Sequence, residues 1–151
     1  MKPQPTAVTS PTRTVTVLSV SPLPQDHFSL QEVFNHSKWT LYKTDRLASA
    51  MAIIHRREIG VVICERDESP GTWIDMLEEL RPLQGAPPLI VTSRLADERL
   101  WAEALNLGAY DVLATPLERR EVIRSVSSAW LRWHYQLEVY SRGVIAMKAA
   151  G

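Results

Sequence analysis

The sequence predicts a three-layer α/β domain, with a five-stranded parallel sheet between two layers of helices. Two observations carry this. Short β-branched or apolar runs alternate with segments of helical periodicity along the chain. Two of those runs, 59–64 (IGVVIC) and 89–92 (LIVT), are apolar without a break. A strand with no polar face is covered on both sides, as in sheets built from β-α-β units. Right-handed crossovers then favour the strand order 2-1-3-4-5.

Each element has its own local reason. Residues 1–13 hold Pro3, Pro5 and Pro11 among Thr, Ser and Gln, and are expected to form a disordered tail. Thr14–Val20 (TVTVLSV) reads as the first strand. Ser21–Asp26 holds two prolines and reads as a loop. Phe28, Leu30, Val33 and Phe34 mark a short helix ending near Asn35. Trp39–Lys43 is the second strand. Asp45 is a candidate cap for a helix over 46–57, with Leu47, Ala50, Met51 and Ile54 as its apolar stripe.

After the third strand, Ser69-Pro70-Gly71 is a turn. Thr72 and Asp75 then have the spacing of a capping box, although Asp stands in place of the usual Glu. Met76, Leu77 and Leu80 share one side of that helix, and Trp73 lies one turn before Leu77. Gly85–Pro88 ends it. Asp97 caps a helix reaching Leu107, closed by Gly108, with Leu100, Ala104 and Leu107 on one face. Tyr110–Ala114 is the fifth strand. Pro116 separates it from a last helix over 117–135, buried through Val122, Val126, Ala129 and Trp133. Residues 136–151 either extend this helix or fray, so the domain proper is expected over 14–135.

Composition excludes several classes of function. The 151 residues carry equal numbers of acidic and basic side chains, and a nucleic-acid surface needs a basic field. No nucleic-acid partner is expected. Arg119, Arg120 and Arg124 make only a small basic edge. Cys64 is the sole cysteine, so no internal disulfide can form, which suits a reducing compartment. No basic-then-apolar leader and no membrane-length apolar run is present, so a cytoplasmic protein is expected. His27, His36, His55 and His134 lack metal-site spacing with Cys64, and no metal or cofactor is expected.

The segment 88–116, PLIVTSRLADERLWAEALNLGAYDVLATP, gives the chain its family likeness. Strand, small hydroxyl residue, helix, Gly-Ala, short strand and proline follow in order. In this, and in VVICERDESPGTW at 61–73, the chain resembles the receiver domain of two-component response regulators, over roughly Arg13 to Tyr135. The resemblance implies a (βα)5 flavodoxin-like, CheY-like fold. It also implies a phosphorylation site of four parts at the carboxyl ends of the strands. These are two acids that hold Mg²⁺ after strand one, an aspartate ending strand three, a Ser or Thr ending strand four, and a Lys before the proline after strand five. Phosphoryl transfer depends on positioned charge, and Mg²⁺ on hard oxygen ligands.

Most of those parts are replaced here. Ser19 and Val20, or Val20 and Ser21, occupy the acidic positions. Asp26 lies further along the loop. The acceptor position falls on Arg66 when counted back from Pro70, and on Glu65 when the strand is followed to its end. Asp67 is the other nearby carboxylate. Ser93 matches the hydroxyl position, whereas Thr115 replaces the lysine before Pro116, a bond that is often cis in the family. Val112 takes the place of an aromatic switch residue.

The expectation is therefore a non-enzymatic pseudo-receiver that binds a protein partner in bacterial signalling without being phosphorylated. Self-pairing through the fourth helix, fifth strand and last helix is one form of this. Trp101, Arg119, Ile123, Trp130 and Trp133 are the candidate interface residues. Two alternatives stand beside it: phosphorylation on Glu65 or Asp67 by unusual chemistry, and a small-molecule sensor using a pocket between Ser19, Glu65 and Ser93. Within the charged run from Glu65 to Glu68, Arg66 is expected to pair with Asp67 or Glu68, or else to sit on a solvated loop.

Overall fold

A computed structural model describes residues 14–150. The expected tail therefore lies outside the described residues. The elements alternate strictly: β1 (Thr16–Val20), α1 (Pro24–Phe34), β2 (Thr40–Thr44), α2 (Leu47–Arg56), β3 (Val61–Glu65), α3 (Thr72–Leu80), β4 (Leu89–Ser93), α4 (Glu98–Leu107), β5 (Asp111–Ala114) and α5 (Arg119–Ala150). All neighbouring strands are parallel, and the sheet runs β2-β1-β3-β4-β5, the predicted order.

The central strands are apolar on both faces because each face has its own core. On one side Leu18, Val62, Cys64, Leu89 and Val91 meet α2, α3 and α4 through Met51, Trp73, Met76 and Leu100. On the other, Val17, Val61, Ile63, Ile90 and Leu113 meet α1 and α5 through Leu30, Phe34, Val122, Val126 and Ala129. Alternation along each strand sends successive side chains to opposite cores. Ser125 lies buried among the second set, and its hydroxyl donates to Asp111 Oδ2 at 2.7 Å, tying α5 to β5.

Several local expectations change. Helix α1 starts at Pro24, inside the segment read as a loop, with proline at a position where a missing N–H costs nothing. Phe28 is 60 % exposed and lies off its buried face. Trp39 precedes β2 and packs its ring edge-on against Phe34 at 5.1 Å. Asp45 does not cap α2; Arg46 holds that position and draws the Asp45 carboxylate to 3.2 Å. Thr72 and Asp75 form no capping box, since Gly71 is the cap residue and no side chain bonds there.

Asp97 does cap α4, accepting from the Leu100 N–H at 2.9 Å, and Gly108 closes it with φ of 109°. Leu107 is 37 % exposed, because α4 buries only Leu100 and Ala104. The 136–150 segment is the helical alternative of the two expected: α5 continues through Tyr135 without a break.

Candidate functional site at the strand ends

The carboxyl ends of β1, β3, β4 and β5 form a crevice lined by Asp26, Glu65, Asp67, Thr92, Arg94, Thr115 and Pro116. It is a shallow, open depression of about 290 Å³. Beneath it, between Ser19, Glu65 and Thr92, only about 10 Å³ remains, the room of roughly one water molecule at most. The space between Ser19, Glu65 and Thr92 is thus largely filled by side chains, which lowers the case for a small-molecule sensor.

At the end of β1 the hydroxyls are already bonded. His27 Nε2 donates to the Ser21 carbonyl oxygen at 3.0 Å, and its Nδ1 shares a hydrogen bond with Ser19 Oγ at 2.8 Å. Ser21 Oγ donates to Asp26 Oδ2 at 2.6 Å and accepts from the Leu23 N–H at 3.0 Å. Val20 is buried, with its side chain in the core. Asp26 does reach the crevice, because α1 begins early enough to carry it there, but its carboxylate is bound by serine. His27 was not singled out from the sequence as a crevice residue. Its position one turn into α1 would have indicated it, had the start of the helix been legible.

The position of Glu65 is fixed by pairing. It is the last residue of β3, opposite Thr92 of β4, and is 5 % exposed. Its two carboxylate oxygens accept from the Glu68 and Ser69 N–H groups at 2.9 and 3.0 Å. The carboxylate is therefore turned onto the loop that leads into α3, where it satisfies backbone donors. Burial pushes the Glu65 carboxyl above its ordinary value, the two N–H bonds oppose this, and Asp26 and Asp67 add to it. Burial and the charge of Glu65 also push the adjacent Cys64 thiol up to about 12. A protonated, enclosed thiol is unreactive.

Asp67 is the most tightly held acid at the rim. Its Oδ1 accepts from Ser93 Oγ at 2.6 Å and its Oδ2 from the Arg94 N–H at 2.8 Å. Arg66 Nη1 stands 3.8 Å away and Arg94 Nε 3.5 Å away. Partial burial raises this carboxyl, but the Arg94 N–H, the Ser93 hydroxyl and the Arg94 and Arg66 charges outweigh it, so its pKa lies below the ordinary value. Ser93 Oγ also accepts from the Leu95 N–H at 2.9 Å. Arg66 thus pairs with Asp67, the nearer of its two expected partners.

Thr115 borders the crevice, and the Thr115–Pro116 bond is cis. Thr115 supplies no charge. Ser19, Ser21, Glu65, Asp67, Ser93, Thr115 and Pro116 are brought together at the strand ends, but not as a cation cage. Among the described residues, no group of three or more His, Cys, Asp or Glu side chains could hold a metal ion. The magnesium implied by the family likeness does not fit these residues. In either register a valine buried in the core and a serine whose hydroxyl is engaged by His27 or Asp26 stand where two carboxylates are needed.

The candidate interface residues separate. Trp101 on α4 is 48 % exposed, Ile123 on α5 is 37 % exposed, and Arg119 is exposed at the start of α5. Trp133 is 3 % exposed, and its indole N–H donates to the Gly85 carbonyl at 2.9 Å, so it belongs to the core and not to an interface. Trp130 is half-buried, packed against Gly60 and stacked on His134 at 4.9 Å.

No protein-family model and no curated protein matches the sequence. Solved structures do. The signal receiver domain of an HD domain-containing protein from Pseudomonas fluorescens aligns over 87 % of this chain and 97 % of its own, with a TM-score of 0.75 and 22 % identity. The receiver domain of a Francisella response regulator aligns over 79 % and 98 %, with a TM-score of 0.69 and 20 % identity. A response regulator from Thermotoga maritima aligns over 78 % and 98 %, with a TM-score of 0.70 and 16 % identity. These likenesses extend over nearly the whole of each neighbour, and the chain has the receiver fold of two-component response regulators.

Proposed function

We propose that this receiver domain acts without phosphorylation, as a protein–protein interaction module in bacterial signal transduction in the cytoplasm. The observation that carries the reading is the Asp67 carboxylate. It accepts from the Ser93 hydroxyl, which stands where the family likeness places the Ser or Thr that bonds a phosphoryl oxygen, and from the Arg94 N–H. An internal anion holds the Ser93 hydroxyl, no lysine balances the site, and the serine and valine at the end of β1 cannot gather Mg²⁺. Losing several preorganised electrostatic partners, each worth a few kcal/mol, suppresses transfer. A partner would be met through α4, β5 and α5, where Trp101 and Ile123 lie exposed. Large aromatic side chains are favoured at the centre of such contacts.

The test is incubation with acetyl phosphate and Mg²⁺, followed by intact-mass measurement. The expected product is unmodified protein. A stoichiometric phosphate adduct that disappears in Asp67→Asn or Glu65→Gln would overturn the reading in favour of an unusual acceptor.

A further inference from the structure

The acids of the crevice are unequally balanced. Arg66 and Arg94 both stand against Asp67, at 3.8 and 3.5 Å. Asp26 and Glu65 line the same crevice, and neither has an ion pair among the described residues. Their carboxylates are only partly used. Ser21 Oγ holds Asp26 Oδ2 and leaves Oδ1 without a partner among the described residues. Each Glu65 oxygen accepts one N–H and keeps a second lone pair. The two negative charges act on each other, since Asp26 adds to the upward push on the Glu65 carboxyl.

A buried hydroxyl, independent of these charges, faces the same space. Thr92 is 4 % exposed and lines both the crevice and the small space beneath it. Its hydroxyl has no hydrogen-bond partner among the described residues. Buried polar groups are ordinarily bonded, so an unbonded one marks a place for a ligand. Thr115 lines the crevice beside it, and Leu23, Pro116 and Leu117 supply apolar wall.

On the reading that the crevice is not phosphorylated, we infer that it receives an arginine side chain of a protein partner, with the guanidinium between Asp26 and Glu65. A guanidinium carries five N–H donors and no acceptor, which suits a site made of carboxylate and hydroxyl oxygens. Its methylene stem packs on Leu23 and Leu117 while the charged end pairs. A metal ion is the poorer occupant, because no group of three or more ligating side chains is present among the described residues. The depression of about 290 Å³ is open on its outer side, so the backbone that carries the arginine stays outside.

The test titrates the full chain with n-propylguanidinium, the arginine side chain without its backbone, and follows backbone amide NMR shifts. Saturable shifts at Glu65–Ser69, Thr92 and Thr115 are expected in the millimolar range, as befits so small a ligand. A blocked glycine pentapeptide with arginine at its centre should shift the same amides. Tetramethylammonium, a cation without N–H groups, should bind at least about tenfold more weakly. Asp26→Asn keeps an acceptor for Ser21 and should weaken n-propylguanidinium binding at least about tenfold. Thr92→Val keeps the buried shape and should weaken it about threefold. Glu103→Gln, exposed on α4, should leave it unchanged. Absence of saturable shifts overturns the inference, as does equal binding of tetramethylammonium or indifference to either crevice substitution. Binding of n-propylguanidinium without the pentapeptide overturns it too, in favour of a site for free small cations. No phosphodonor is present in these titrations, so their failure leaves the acetyl phosphate test untouched, and a phosphate adduct there is read independently.

Discussion

The two ends of the sheet solve the same problem in different ways. At the carboxyl end, polar side chains satisfy one another: Ser19 with His27, Ser21 with Asp26, Glu65 with two loop N–H groups, and Asp67 with Ser93 and Arg94. At the amino end, closure is aromatic. Trp130 and Trp133 close over Gly60 with ring centroids 6.4 Å apart, and Trp130 Nε1 and His134 Nδ1 are buried without a partner. Buried polar atoms without partners are tolerated where packing outweighs them. The amino end should therefore carry more stability, and the carboxyl end should govern the conformation of the loops.

The widest test of this contrast is Trp133→Ala. Removing a buried indole should cost about 3–5 kcal/mol, read as a shift of the urea midpoint. A loss under about 1 kcal/mol would remove the distinction between the two ends. Gly60→Ala comes next. Its added Cβ would meet Trp130 Cδ1 at 2.6 Å and the Trp133 ring at 3.1 Å. An overpacked site of this kind should cost about 1–3 kcal/mol, and the same unfolding measurement detects it.

The smallest expected effect is at the other end. Asp67→Asn retains the shape but removes the anion, and should cost about 1 kcal/mol at neutral pH. The sign of its pH dependence follows from the lowered pKa. Stability from Asp67 is fully present above the unfolded carboxyl value, near about 3.9, and is lost as pH falls through the lowered folded value. Variant and parent should therefore converge in acid, as measured by denaturation at a series of pH values. A gap that persists there would mean that Asp67 acts through packing and not through charge.

The same contrast explains what the sequence could disclose. Strand order and both cores were legible because Ile59–Cys64 and Leu89–Thr92 carry no polar face, and Asp97 and Gly108 bracket α4 by local chemistry alone. Caps that depend on loop geometry were not legible, and neither Asp45 nor Thr72 bonds as its spacing suggests. In the crevice, the replaced positions were readable one by one. Their partners were not, since the Ser93–Asp67 bond joins residues 26 apart in the chain. Ambiguity between Glu65 and Arg66 ended only with the pairing of Glu65 to Thr92 across the sheet. Trp133 was correctly placed on the buried stripe yet also offered as an interface residue, because periodicity does not reveal the Gly85 carbonyl that receives its N–H.

The unbroken passage of α5 through Tyr135 makes the helix a lever with its fulcrum at the Trp133–Gly85 bond. The arm from Trp133 to Ala150 is roughly 25 Å long at 1.5 Å per residue. A tilt of about 10° at the fulcrum would swing its tip by roughly 4 Å, about three-quarters of the pitch of one helical turn. Small adjustments in the α3–β4 loop would therefore be magnified at the far end of the helix.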